Sequence, residues 1–492
     1  MGLKHRWSVE SLSDNLLGGE KRDFEASKAG KMHIGLVFPA PYALAMSNLG
    51  FLTVHRLAAS IPGIGIERFF LPLEAGVPHP PPYYSFESKR PLGDFDVLAF
   101  SLSFEGDFPA IAAVLGPLGI PVLASERKRG RFPLLLAGGA AVGSNPPALS
   151  RVFDILVPGE AETVLPSLLQ RFLSEGIDPS AVADLPGVWA PAHRPSPNTA
   201  PPPHDVASEP AFSHIISPKN VFGGAALFEI MRGCPRACAF CLARVLYHPA
   251  RAVPASRLAE WIDRRPGISE LGLVAPSLFD HPELQTILEL LASRNIRLRN
   301  SSVKWEALTD QILEMLAKCG PRGLTLAPET GSARRRADMS KPLSEERFFA
   351  TLDRIWKHGF EGVKLYFMTG LPDETDTDLE ETAAFLARLS GQTPSGKSLS
   401  ATFSGFVPKT GTAWQDRSSL PAPEFKRRFA LLRTSLRHTA PRVTARFESP
   451  EEIVRQAYLA RVGPELADKL NEEAQEWRRG GRFHTKAWES DF

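Results

Sequence analysis

The chain is short of cysteine, of long apolar runs and of net charge. Only four of its 492 residues are cysteine, too few and too unevenly placed for the disulfide framework of a small secreted domain. Nowhere does it run about 18 apolar residues without a charge, the length a membrane-spanning helix needs. Its opening, MGLKHRWSVESLSDNLLGGEKRDFE, has no apolar core of signal-peptide length. Lys and Arg number 57 against 55 Asp and Glu, a formal net charge of +2, so no global field draws the chain to nucleic acid or an anionic membrane. A cytoplasmic protein without membrane association is the expectation. Hydrophobic residues at 43% and charged residues at 23% are globular values that argue against a disordered or fibrous chain. The length suggests two or three domains at roughly 100 to 200 residues each.

What is present is alternation. HIGLVF (33–38), DVLAFSLS (96–103), PLLLAGG (133–139) and FDILVPG (153–159) are near-continuous apolar runs, the pattern of parallel strands buried on both faces. Helical patterns lie among them, and the spacing predicts a doubly wound, Rossmann-like α/β domain over 1–190, whose ligands bind beyond the strand C-termini. A Pro-rich stretch, 191–215, reads as a connector. A second alternation follows over 216–420, with strand candidates ALFEIM, ELGLVA, IRLRNSS, GLTLA, VKLYFM and SATFSGFV separated by single helices. Six such units predict a partial parallel β/α barrel, with chemistry at the strand C-termini. The remainder, 421–492, reads as helical with a polar end.

Three of the four cysteines, Cys234, Cys238 and Cys241, fall within eight residues, directly after the first strand of the second alternation. Three thiolates can hold three corners of a [4Fe–4S] cluster, whose fourth iron is normally held by a fourth Cys. None is near. Cys319 sits in LAKCGPRG, at a helix C-terminus before a strand, which in a barrel is the end away from the strand C-termini. The alternative is a zinc site completed by His248, disfavoured because structural zinc ligands usually come in paired knuckles.

At these residues the chain resembles the radical S-adenosylmethionine (SAM) superfamily over roughly 220 to 420. The resemblance implies that the open iron is chelated by the amino and carboxylate groups of SAM, and that an electron from the cluster cleaves SAM to a 5′-deoxyadenosyl radical. It places Phe240 near the adenine, and Ser302 and Lys304 of SSVKWEAL at ribose and carboxylate contacts. It also places Glu329 and Arg334 of LAPETGSARRR at ribose or amine and carboxylate, and Pro408 of SGFVPKTGT at the sixth strand end. Many members carry Gly-Gly-Glu after the second strand to bind the amino group. Here that place reads VAPSLFDHP, so Ser277 or the carbonyls around Ala275 and Pro276 would serve.

The preceding α/β domain is similar to the cobalamin-binding domain of a subfamily, which implies that Ser101, Ser103, Gly138 and Gly139 let a corrin's nucleotide tail lie against the backbone. The Asp-x-His-x-x-Gly motif that would supply an axial His is absent; after the first strand comes PAPYALAMSNLG. The expectation is a radical SAM enzyme, with or without cobalamin-mediated methyl transfer, drawing electrons from a flavodoxin- or ferredoxin-type donor. RNA and protein are both open as substrates. A different class of reading is an RNA-associated module with a structural cluster. It is suggested by PEFKRRFALLRTSLRH (423–438), in which Phe425, Phe429, Leu432 and Leu436 share one helical face and Lys426, Arg433 and Arg437 another. An outer barrel helix with a solvated basic face accounts for the same pattern.

Overall fold

The computed structural model describes residues 13–71, 84–127 and 132–479. The opening twelve residues and the final thirteen, on which the absence of a signal core and a polar helical end were read, lie outside them. The described residues form two compact units. One takes the chain to Asp205, Ala211–Phe228 and the stretch from Arg461; the other takes Val206–Pro210 and Glu229–Ala460.

The first unit is a five-stranded parallel sheet in the order Ile64–Phe70, Met32–Phe38, Val97–Ser101, Leu134–Gly138, Ile155–Val157. Connections run to opposite sides from Met32–Phe38, so the topological switch point lies between the ends of Met32–Phe38 and Val97–Ser101. Four of these strands are the apolar runs read from the sequence. Ile64–Phe70 is not, because IGIERFF is interrupted by Glu67 and Arg68, yet both are buried, at 2% and 1% exposure. They are satisfied individually. Arg68 meets Glu20 through both terminal nitrogens at 2.9 Å and Glu87 through Nε at 2.6 Å. Glu20 also accepts from Tyr42 Oη at 2.6 Å, and Glu67 accepts from Ser88 N and Oγ at 2.9 Å. Burial pulls the Arg68 guanidinium down, and the carboxylates of Glu87 and Glu20 more than offset it. The helix Leu466–Arg478, from the far end of the chain, packs on Phe108–Leu115 in this same unit. Gly116 permits the approach: a Cβ there would lie 2.6 Å from the Ala474 carbonyl oxygen.

The strand Ala226–Glu229 leads the chain into the second unit and heads a three-stranded sheet with Glu270–Val274 and Arg297–Leu298; a four-stranded parallel sheet follows, Gly323–Glu329, Gly362–Thr369, Ser398–Gly405, Val443–Phe447. A parallel bridge between Ser302 and Thr325 joins the two. The third strand ladders over only two residues. Its continuation is carried by the Asn300 side chain, which accepts from Leu273 N at 2.7 Å and donates to Leu273 O at 2.6 Å. One main helix returns the chain in each crossover, Ala255–Asp263, Leu284–Ser293, Asp310–Cys319, Glu345–Lys357, Asp376–Gln392 and Ala422–Thr439, with the short helices Leu242–Leu246 and Ala333–Asp338 added in the first and fourth. These are the six expected units. The sixth helix then feeds a further strand, Val443–Phe447, which corrects the expectation of an all-helical 421–492. VTARF is a short alternating edge strand that flanking charged helices conceal in the sequence. On the helix-covered face Phe367, Phe403 and Phe447 stand in register, with rings stacked at 5.2 and 4.8 Å. Phe429 of Ala422–Thr439 closes on Phe447 at 5.2 Å. That helix buries Phe425, Phe429, Leu432 and Leu436 and turns Lys426, Arg433 and Arg437 outward, as the outer-helix reading expects. Among the described residues no helix is long and apolar enough to cross a membrane.

Removing the buried cation should expose the cost of its partners. Arg68→Ala leaves Glu87 buried without a counter-charge and Glu20 with Arg22 alone, and should destabilise the first unit by about 3 to 5 kcal/mol, read as a shift of its urea midpoint. A loss near zero would mean that the carboxylates find water instead.

Candidate active site at the strand ends

The cysteine loop leaves the first barrel strand through Gly233, whose φ is 78° and whose Cβ position lies 2.2 Å from the Tyr247 carbonyl oxygen. Only glycine satisfies both conditions. Cys234, Cys238 and Cys241 follow as free, half-exposed thiols, and Cys241 begins the short helix Leu242–Leu246. The loop is tied on two sides: Ala239 N donates to Met339 O at 3.0 Å and Ala239 O accepts from Trp414 N at 3.2 Å. Burial pushes the Cys238 thiol up, Lys341 opposes this, and Cys241, Cys234 and Glu329 reinforce it. The three thiols therefore share one electrostatic field. Cys319 ends the helix Asp310–Cys319, 5% exposed, with Sγ on Met315 O at 3.3 Å.

Asp280 organises the next group. Its carboxylate accepts from Ser277 Oγ at 2.6 Å, from Lys304 Nζ at 2.9 Å and from Arg236 Nη2 at 2.5 Å. Burial would raise it, but these donors hold it well below the usual carboxylate range. Ser277 and Lys304, from the ends of the second and third strands, are thus drawn together with the cysteine loop through Arg236. The sequence reading missed Asp280 and Arg236. The available signal was that Asp280 is the only acid in VAPSLFDHP, the stretch where Gly-Gly-Glu was sought.

Glu329 ends the fourth strand after a break in register between Leu326 and Glu329, and its φ is 67°. Such bulges re-aim a strand-end side chain. Burial raises its carboxyl, and Lys341, with Nζ 2.5 Å from Oε1, opposes the rise. Lys341 was also missed. It lies twelve residues downstream, and no motif marks it. Phe240 packs with Trp414, ring centroids 6.4 Å apart, beside Phe406, Met339 and Leu371. Pro408 is buried in the same stretch as Phe406, and Ser302 is exposed at the bridge to Thr325. Arg334 is engaged elsewhere, by Asp378 at 2.5 Å, a residue that also takes Ser332 Oγ at 2.7 Å and caps Asp376–Gln392.

In the first unit, Ser101 is buried and Ser103 Oγ accepts from Asn48 Nδ2 at 2.8 Å, across the switch point. Asn48 also caps Leu49–Ala59. Gly139, with φ 111°, is dictated by the protein's own backbone, since a Cβ would lie 2.4 Å from Leu102 O. Gly138 is different: its Cβ would meet only Val157, at an ordinary 3.4 Å. Leu44 and Phe104, following the two strands that flank the switch point, are 47% and 46% exposed.

Family comparison decides what this constellation belongs to. Residues 228–386 match the model described as "Radical SAM superfamily", and residues 50–180 match "Radical SAM proteins, N-terminal". The chain belongs to the radical SAM superfamily. It is an enzyme, and the domain implies a [4Fe–4S] cluster and SAM as its cofactors. A relative by sequence is the uncharacterized protein MJ0966 of Methanocaldococcus jannaschii, 28% identical over 355 residues, 71% of this chain and 72% of that one. Among solved structures, the fold is similar to TsrM from Kitasatospora setae, a radical SAM methyltransferase solved with cobalamin and a [4Fe–4S] cluster. The TM-score is 0.53 at 13% identity, covering 80% of this chain and 75% of that one. It is also similar to OxsB, a cobalamin-dependent radical SAM enzyme solved with aqua-cobalamin and SAM. There the TM-score is 0.52 at 14% identity, covering 94% of this chain and 63% of OxsB.

The geometry of the cysteine loop of this radical SAM enzyme hinges on Gly233. Gly233→Ala should displace the loop and cost most of the bound iron while the protein stays folded. Gly93→Ala, where no atom lies within 4 Å of the added carbon, should keep it. Iron content beside thermal unfolding reads the difference, and equal iron in the two variants would contradict the constraint.

Proposed function

We propose that Cys234, Cys238 and Cys241 hold three corners of the [4Fe–4S] cluster and that SAM takes the fourth. The observation that carries this reading is the loop itself: three accessible thiols in one field at a strand C-terminus, with the chain's fourth cysteine buried at a helix end. The donor set suits a cubane, in which each iron takes one thiolate.

The chain's own residues then divide the work on SAM. Arg236 and Lys304 are two cations on one Asp280 carboxylate, so one positive charge is left over for the SAM carboxylate. With Arg334 held by Asp378, these two are better placed to supply it. Asp280 and Ser277 stand where the missing Gly-Gly-Glu would meet the amino group, and Glu329, with Ser302 nearby in strand order, suits the ribose hydroxyls. Phe240, steadied by Trp414, and the buried Pro408 stretch suit the adenine. When bound, the reduced cluster supplies one electron to SAM, breaking its C5′–S bond to give methionine and a 5′-deoxyadenosyl radical. The electron comes from an external flavodoxin- or ferredoxin-type donor.

We further infer that the first unit binds cobalamin, which when present would carry a methyl group for transfer to an unreactive carbon or phosphorus. The switch point supports this: Ser101, Ser103 and Gly138 keep it open for a nucleotide tail, and exposed Leu44 and Phe104 offer apolar cover for a corrin face.

Anaerobically reconstituted protein should hold about four irons per chain, lose them in Cys234→Ala, Cys238→Ala or Cys241→Ala, and keep them in Cys319→Ala. With dithionite it should form 5′-deoxyadenosine from SAM. Zinc as the sole metal, or a full cluster in Cys238→Ala, would refute the assignment. Incubated with hydroxocobalamin and desalted, the wild type should retain corrin absorbance and Gly138→Leu should not; corrin retained by neither would remove cobalamin from the reading.

A further inference from the structure

Parallel sheets are ordinarily covered on both faces, and their strands read as continuous apolar runs. The four-stranded sheet of the second unit breaks this rule on one face only. Along Gly362–Thr369, buried and accessible residues alternate, so Val363, Leu365 and Phe367 face the helices while Lys364 and Tyr366 face the other way. The neighbouring strands keep the same phase. Ser400 and Thr444 stand in register beside Lys364, and Thr402 and Arg446 beside Tyr366. Three adjacent strands therefore put polar side chains at consecutive inward positions, and Tyr366 is 37% exposed with Thr444 and Arg446 exposed beside it.

Two cations, Lys364 and Arg446, stand on this face. The Lys364 ammonium is 2.9 Å from the Tyr366 hydroxyl and 4.6 Å from its ring centroid. Among the described residues neither Lys364 nor Arg446 forms an ion pair with a carboxylate. Of the acids at the C-terminal rim beyond these positions, Glu329, in register with Phe367, is engaged by Lys341, and Glu448, two residues past Arg446, accepts from Gly405 N at 3.2 Å. Lys364 and Arg446 lie two strands and two residues apart, about 12 Å between Cα positions, and both side chains are long enough to converge above Thr402.

We propose that this face binds the substrate and that it does so through an oxyanion, a carboxylate or phosphate group held between Lys364 and Arg446, with Tyr366 as a flat contact for the adjoining part of the molecule. This rests on reading the second unit as the radical SAM barrel. It narrows the substrate to an anionic compound, and the hydroxyls of Ser400, Thr402 and Thr444 supply hydrogen bonds to its polar substituents. Charge-assisted contacts of this kind are the strong ones where water is partly excluded.

The test uses the full-length reconstituted protein and two probes, inorganic pyrophosphate and succinate, followed by titration calorimetry. At least one should bind. Its affinity should fall by about tenfold or more in Lys364→Ala and in Arg446→Ala, return in part in Lys364→Arg, and stay unchanged in Arg388→Ala, on an outer helix. Preference for pyrophosphate assigns a phosphate-bearing substrate, and preference for succinate a carboxylate. Binding of neither probe, or equal binding in all variants, overturns the proposal. Formation of 5′-deoxyadenosine by the wild type is measured in parallel. Its absence would count against the radical reading alone, whereas its presence without anion binding would count against this face alone.

Discussion

Every strand of the second unit that carries chemistry runs in the same direction, and that constraint puts Cys234, Asp280, Lys304 and Glu329 at one rim although they span 96 positions of sequence. A parallel β/α arrangement needs a helix to return the chain each time. The return helices pack on the outer face, where Phe367, Phe403 and Phe447 stack, and meet the rim only through their first turns, as Asp378 does at Ser332 and Arg334. The rim is therefore free to hold residues that folding alone would disfavour. Glu329 is part-buried in a left-handed conformation beside Lys341, and Arg236 shares Asp280 with Lys304. Strain and buried charge of this sort persist where surrounding structure over-determines them.

The same logic applies to the first unit in a different form. Its edge strand carries Glu67 and Arg68 in the core, and the cost of burying them is offset by partners from remote segments, Glu20, Glu87 and Ser88. A buried ion pair is weak evidence for stability but does fix which segments must meet. Here it ties the chain before the first strand to the sheet's edge and leaves the opposite side of the switch point, around Ser103 and Gly138, to small residues.

How much of this could be read from sequence follows from what each feature depends on. Apolar runs and helical periods depend on neighbours along the chain, so four of the five strands of the first sheet and all six β/α units of the second were legible. Ile64–Phe70 was not, because its charges are neutralised by residues 19 to 48 positions away. The placement of the cysteine triplet after a strand, and of Ser277, Lys304 and Glu329 at strand ends, was legible because it depends on local pattern alone. Their partners Asp280, Arg236 and Lys341 were not, since nothing in a single strand end says which side chain from the next will close on it. Arg334 shows the converse: a well-placed cation whose partner, Asp378, is a helix cap.

The central claim is that three thiolates leave one iron open to SAM. Electron paramagnetic resonance of the dithionite-reduced protein, recorded before and after adding SAM, tests it most directly. The account predicts the signal of a reduced [4Fe–4S] cluster whose g values shift when SAM binds at the open iron. A spectrum unchanged by saturating SAM would mean that the fourth position is closed, and the account would fail there.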